Sequence, residues 1–153
     1  MSRVSKLVER STVLPAPKSC VFALLGELRT LQYIAAPYIY FAPVDAADDL
    51  RWRAGETFVF RAKLFGIIPF GQHTIRVVAF DPNRIYTNES NRHVPVWNHE
   101  IILRELDGDR TSYTDRIELF AGWKTPFVYA WATLFYAHRQ RKWRKLLAKK
   151  DAR

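Results

Sequence analysis

The chain is poor in the residues that staple or hinge small proteins. One cysteine, Cys20, leaves no second thiol for an internal disulfide, so the fold has to rest on its core, and a reducing compartment is compatible. The apolar setting of Cys20 reads as core. Glycine is scarce, at six of 153 residues, and forms no phosphate-cradling loop; G-x-S-x-G and Cys/His metal spacings are absent too. No run of about 18 apolar residues occurs, which excludes a membrane-spanning helix. The first residues alternate and carry Lys6, Glu9 and Arg10, unlike the continuous apolar stretch of a signal peptide, so a cytoplasmic protein is expected. No metal and no cofactor are expected.

What the chain does have is aromatic mass. Ten Phe, seven Tyr and five Trp make up 14% of the residues, more than a small core needs for filling, and broad flat side chains commonly line ligand cavities. A length of 153 residues suits one domain spanning 1–153. The net charge of +9 is concentrated at the end, where Arg139, Arg141, Lys142, Arg144, Lys145, Lys149, Lys150 and Arg153 face only Asp151. Such a basic segment is either a solvated helix face or a patch for phosphates. No motif or aromatic platform points to nucleic acid.

Hydrophobic periodicity orders the elements. Residues 3 to 14 read as a strand stopped by Pro15 and Pro17. A helix follows from Pro17 to Thr30, with Val21, Leu24, Leu25 and Leu28 at helical spacing, and a second short helix covers Leu31 to Ala36. Tyr38 to Val44 reads as a strand, and a loop with Asp45, Asp48 and Asp49 runs to Gly55. Five further strands follow, Glu56 to Phe65, Phe70 to Phe80, Ile85 to Ser90, Val96 to Glu105 and Thr111 to Ala121, joined by turn-like segments as an antiparallel meander. The remainder, Thr125 to Lys149, is one long helix without internal Pro or Gly. The order is β-α-α-β6-α, an α+β domain in which the last helix covers the concave face of a curved sheet.

Alternation then selects inward faces. Phe58, Phe60, Ala62 and Leu64 form one inner set; Ile75 and Val77 belong to the next strand, where Val78 and Phe80 blur the pattern. Trp97, His99, Ile101 and Leu103 form another, and Thr111, Tyr113, Asp115 and Ile117 the last. A three-residue loop, Leu106-Asp107-Gly108, would pair Glu105 with Asp109 and so set His99 beside Asp115. A two-residue turn would instead put them on opposite faces. The carboxylate would fix the imidazole tautomer, for proton transfer or for holding a ligand oxygen; a self-satisfied buried pair is the plain alternative. His73, His93 and His138 are weaker candidates. On the last helix Phe127, Trp131, Leu134, Phe135 and His138 recur at three and four, as a face turned to the sheet should.

Taken together, Leu14-Pro15-Ala16-Pro17 with Cys20-Val21-Phe22, Leu64-Phe65-Gly66-Ile67 with Pro69, Trp97 and His99, Thr111 with Thr114-Asp115, and Tyr136, Arg139 and Trp143 resemble, in that order, the SRPBCC superfamily. It includes START domains, plant pathogenesis-related allergens and polyketide cyclases, and the likeness is to a bacterial ligand-binding or cyclase/dehydrase-like branch. Gly71 stands where that branch often has a large residue, and Ile101 where a second His often follows. The resemblance implies a helix-grip fold with a cavity between sheet and last helix.

Two functions follow as expectations. One is binding or transport of a small hydrophobic molecule (lipid, isoprenoid, quinone or polyketide-like) by Phe58, Phe60, Leu64, Ile75, Val77, Trp97, His99, Tyr113, Asp115, Phe127, Trp131 and Phe135. The other is a cyclase or dehydratase in which His99 and Asp115 act on a carbonyl compound. The tip Leu64 to Phe70, with Ile67, Ile68 and Phe70 foremost, either meets an anionic membrane together with the basic C-terminal helix or folds over the cavity mouth. The chain is expected to be a monomer or a homodimer.

Overall fold

A computed structural model of the chain describes residues 4–44 and 50–151. The acidic loop residues Asp45, Asp48 and Asp49, and Arg153, lie outside the described residues. Strand β1 (Lys6–Leu14) leads into helices α1 (Lys18–Leu25) and α2 (Leu28–Ala35). Strands β2 (Ile39–Pro43), β3 (Thr57–Leu64), β4 (Ile68–Phe80), β5 (Arg84–Asn91), β6 (Val94–Asp107) and β7 (Arg110–Phe120) follow, and helix α3 (Thr125–Asp151) is the last element of the described residues. All neighbours pair antiparallel in a seven-stranded sheet of order β1-β7-β6-β5-β4-β3-β2. This is the β-α-α-β6-α order expected from the periodicity and the helix-grip arrangement that the family resemblance implies.

The helical boundary differs from the sequence expectation. The first helix stops at Leu25 rather than Thr30, because Gly26 is a poor helix former and Glu27 is extended (φ −102°, ψ 130°), bridging to Arg51 in antiparallel fashion. Helix α1 buries Val21 and Leu24, while Cys20, a step off that face, is exposed to solvent instead of lying in the core.

Irregularities in the sheet decide which side chains face in. The β3–β4 turn needs left-handed backbone at Phe65 (φ 54°) and Gly66 (φ 75°). Gly71, at φ 80°, sits beside the register shift that follows Ala62, so a backbone requirement explains it. A second shift, between Val77 and Ala79, leaves Val78 as the extra residue and half-exposed; the alternation flips there and Phe80 turns inward. This resolves the blurred pattern of β4.

The β6–β7 hairpin departs from the expected register. Its turn is the two-residue Gly108-Asp109, pairing Asp107 with Arg110, and a shift between Glu105 and Asp107 then pairs Glu105 with Thr111. His99 is therefore opposite Ile117, and Asp115 is opposite Ile101. The two-residue turn alone would have separated the pair onto opposite faces, but the bulge restores the parity, and His99 and Asp115 meet as diagonal neighbours on the concave side.

Helix α3 buries Ala132, Phe135, Tyr136, Arg139, Gln140, Trp143 and Leu147. That stripe is rotated from the expected one: Leu134 is exposed, because it stands about 200° round the helix from Ala132. Two apolar clusters result. One gathers Leu14, Val21, Ile85, Ile101, Leu103, Tyr113, Trp143 and Leu147, and the other Phe41, Phe60, Ile75, Val77, Trp97, Phe135 and Tyr136.

Candidate functional site: a cavity between sheet and helix

Between the concave face and the first half of α3 lies a cavity of about 570 Å³. Its walls are apolar over most of their extent, with Leu31 and Ile34 from α2, Ile39 and Phe41 from β2, Ile75, Val77 and Phe80 from β4, Trp97 and Ile101 from β6, and Val128, Trp131 and Phe135 from α3. Trp123 and Phe127 line it while staying 81% and 71% exposed, so they mark its mouth. The β3–β4 tip reaches the same end through Tyr38, whose ring lies 5.8 Å from Phe65 and 6.3 Å from Trp131. Ile67 and Ile68 project into solvent beside it.

Of the residues singled out from sequence, the structure brings Leu64, Ile75, Val77, Trp97, His99, Phe127, Trp131 and Phe135 onto this wall. It sets four apart from the wall. Phe60 is fully buried behind it, edge-on to Phe41 at 6.1 Å, and Phe58 packs against Trp52 at 4.9 Å. Tyr113 belongs to the other cluster, 5.6 Å from Trp143, because its cross-strand partner is Leu103 and that end of the sheet is closed by the second half of α3. Asp115 is fully buried one layer back, holding His99 from behind.

A polar chain runs along one side of the cavity. His73 Nε2 donates to Glu89 Oε1 at 2.8 Å, and the Thr87 hydroxyl donates to Glu89 Oε2 at 2.7 Å. His99 Nδ1 stands 3.8 Å from Glu89 Oε2, while its Nε2 donates to Asp115 Oδ1 at 2.7 Å. Gln140 Nε2 completes the chain, donating to Asp115 Oδ2 at 3.0 Å and to the carbonyl of Arg10 at 2.9 Å. The Asp115 contact fixes the proton on His99 Nε2. Burial pushes the Glu89 carboxyl up, but the His73 hydrogen bond, the charges of His73 and His99 and the Thr87 hydroxyl outweigh it and hold the group below its ordinary range. Nearby, Trp97 Nε1 donates to the Tyr136 hydroxyl at 2.9 Å; burial raises the Tyr136 phenol well above its ordinary range, so it stays protonated.

From sequence His99 and Asp115 stood foremost and His73 was a weaker candidate; the structure adds Glu89 and seats His73 against it. The signal was present in β5, where alternation from the inward Ile85 puts Thr87, Glu89 and Asn91 on the same face. Arg139, counted with the basic end of the helix and among the residues of the resemblance but given no place at the site, is only 6% exposed and on the cavity wall. Chemically, the site offers an apolar enclosure with imidazole, carboxylate, hydroxyl and guanidinium groups gathered on one flank, suited to orienting a polar atom of a largely apolar molecule.

The fold recurs in solved structures of low sequence identity. A START superfamily protein from Mycobacterium smegmatis superposes with a TM-score of 0.73 at 14% identity, covering 94% of this chain and 97% of that one. The ZhuI aromatase/cyclase from Streptomyces sp. R1128 gives 0.68 at 17%, covering 98% and 97%. A norcoclaurine synthase from Thalictrum flavum gives 0.69 at 10%, covering 99% of each chain. The chain thus has the fold of the SRPBCC superfamily it resembles in sequence. No curated protein matches it. A family described as a domain of unknown function, DUF8410, matches over residues 12–147.

Proposed function

The chain belongs to the DUF8410 family, and from the cavity its fold encloses we propose that it binds and carries a small hydrophobic ligand of lipid, isoprenoid, quinone or polyketide-like character. The single observation that carries this reading is the apolar volume of about 570 Å³ with an aromatic mouth. It falls within the roughly 300–1,000 Å³ of small-molecule sites. Leu64, Ile75, Val77, Trp97, Trp131 and Phe135 hold the apolar body, and His99, seated by Asp115, orients a polar atom.

The test is native mass spectrometry of freshly purified protein followed by solvent extraction, with a thermal-shift panel of quinones, fatty acids and polyketides. A stoichiometric apolar adduct, or a raised melting temperature, is the expected result. A protein that arrives empty and is stabilised by none of these compounds contradicts the reading.

A second reading is favoured by the polar flank: a cyclase or dehydratase in which His99 or Glu89 moves a proton next to a carbonyl held in the cavity. Two of the solved structures sharing the fold are named for enzymes, an aromatase/cyclase and a norcoclaurine synthase. Turnover of an aromatic or polyketide carbonyl compound that is lost in His99→Ala, with binding retained, distinguishes catalysis from carriage. Release at a membrane would use the exposed tip, Ile67 and Ile68, at the mouth. The basic run beyond Arg139 lies farther along α3, from about 15 Å past Trp131 at Arg141 to about 27 Å at Lys149 along the helix axis.

A further inference from the structure

Every buried carboxylate beside the cavity has hydrogen-bond partners, whereas the buried guanidinium has no carboxylate partner among the described residues. Glu89 accepts from His73 and Thr87, and Asp115 accepts from His99 and Gln140. Arg139 is only 6% exposed and lies on the cavity wall, flat against its own helix, with the guanidinium carbon 5.1 Å from the Tyr136 ring centre and 5.6 Å from that of Phe135. Its Nε is buried without a hydrogen-bond partner, and among the described residues no carboxylate comes within ion-pair distance of the group. Its nearer polar neighbours are the Tyr136 and Tyr113 hydroxyls, both neutral phenols, with Tyr113 in side-chain hydrogen-bonding reach, and Asp115 and Glu89 act on it as more distant charges.

A guanidinium removed from water is held well only by an anion or by several acceptors, and leaving it unpaired is costly. The planar fork of Arg fits one acceptor better than others, the carboxylate, which takes two parallel N–H bonds. The aromatic faces of Phe135 and Tyr136 hold the fork in place and contribute no acceptor of comparable strength. The carboxylates nearest the group, Glu89 and Asp115, are each held by two donors, which spread their negative charge without cancelling it.

Resting on the binding function proposed above and sharpening it, we propose that the ligand is an apolar acid whose carboxylate pairs with Arg139 while its hydrocarbon or aromatic body fills the cavity toward Trp97 and Trp131. A neutral ligand with a ketone, phenol or ester oxygen would use one N–H of the fork and gain less.

The experiment is a displacement titration. The neutral fluorophore N-phenyl-1-naphthylamine is bound first, then competed by dodecanoate, its methyl ester, 2-naphthoate and methyl 2-naphthoate. The wild-type protein is expected to bind each acid at least about tenfold more tightly than its ester. In Arg139→Met the acids fall to the level of the esters while the esters keep their affinity, and Arg139→Lys retains part of the preference. Equal affinity of acid and ester for the wild-type protein overturns the assignment and leaves the cavity reading intact; this comparison needs no variant and so does not depend on how Arg139→Met folds. An equal loss of acid and ester in a folded Arg139→Met also overturns it, since the residue would then act on the shape of the cavity alone. Failure of the fluorophore and of all four compounds to bind overturns the cavity reading itself and the assignment with it.

Discussion

The two halves of the α3–sheet interface solve the same packing problem in opposite ways. Toward the C-terminal end of the helix, Trp143 and Leu147 press on Leu14, Ile85, Ile101, Leu103 and Tyr113, and the space is filled. Toward its N-terminal end, Trp131 and Phe135 face Trp97, Ile75 and Val77 across about 570 Å³ that side chains leave open. Both halves are aromatic, so aromatic content by itself does not separate core from cavity. What separates them is where the large rings stand: Trp143 and Tyr113 point into one space at 5.6 Å, whereas Trp131 stacks on Phe135 of its own helix at 4.8 Å and leaves the centre free. The polar chain from His73 to Gln140 lies along the cavity flank, and Arg139 is at the boundary between the halves.

This contrast can be broken from either side. The largest effect is expected in the filled half: Trp143→Ala removes a fully buried ring and should cost about 3–5 kcal/mol, read from the urea midpoint. A loss below about 1 kcal/mol would mean that this half is not the packed one. Asp115→Ala comes next, at about 3 kcal/mol, because it leaves His99 and Gln140 without the acceptor they share in a fully buried place. Trp131→Ala should cost at most about 1 kcal/mol of stability, since the ring already borders open volume, yet weaken an apolar ligand by roughly tenfold or more. The same stability loss as Trp143→Ala would erase the distinction between the halves.

The smallest effect is a matter of pH. Glu89 is held below its ordinary value of 4.5 in the folded protein, so its contribution is fully present above that value and is lost as pH falls through the lower, folded one. The unfolding free energy of the wild-type protein should therefore fall on acidification below about 4.5 more steeply than that of Glu89→Gln. Parallel acid limbs would show that Glu89 does not contribute in this way.

Much of the architecture was legible in the sequence. Period-two alternation from Glu56 to Ala121, turn residues between the strands and an uninterrupted helical pattern from Thr125 gave the element order, since each signal is local. The facing of His99 and Asp115 was also legible, although the register itself was not. A bulge in β6 near Leu106 compensates for the shorter turn, and bulges leave no period in the sequence. The stripe on α3 was misplaced because Leu134 fits helical spacing as well as Ala132 does, and only tertiary contact chooses between them. Arg139 was hidden among neighbouring basic residues, which as a group are solvated, and Cys20 among apolar neighbours, which as a group are not. In both cases composition described the segment and the helical angle decided the residue.

The most direct test of the hollow half is a titration of N-phenyl-1-naphthylamine into the wild-type protein and into Val77→Phe, which places a ring inside the wall opposite α3. Saturable binding of about one fluorophore per chain, abolished in a Val77→Phe protein that stays folded, is the predicted result. No binding to the wild-type protein, or binding that the added ring leaves unchanged, would contradict a ligand cavity between the sheet and the first half of the last helix.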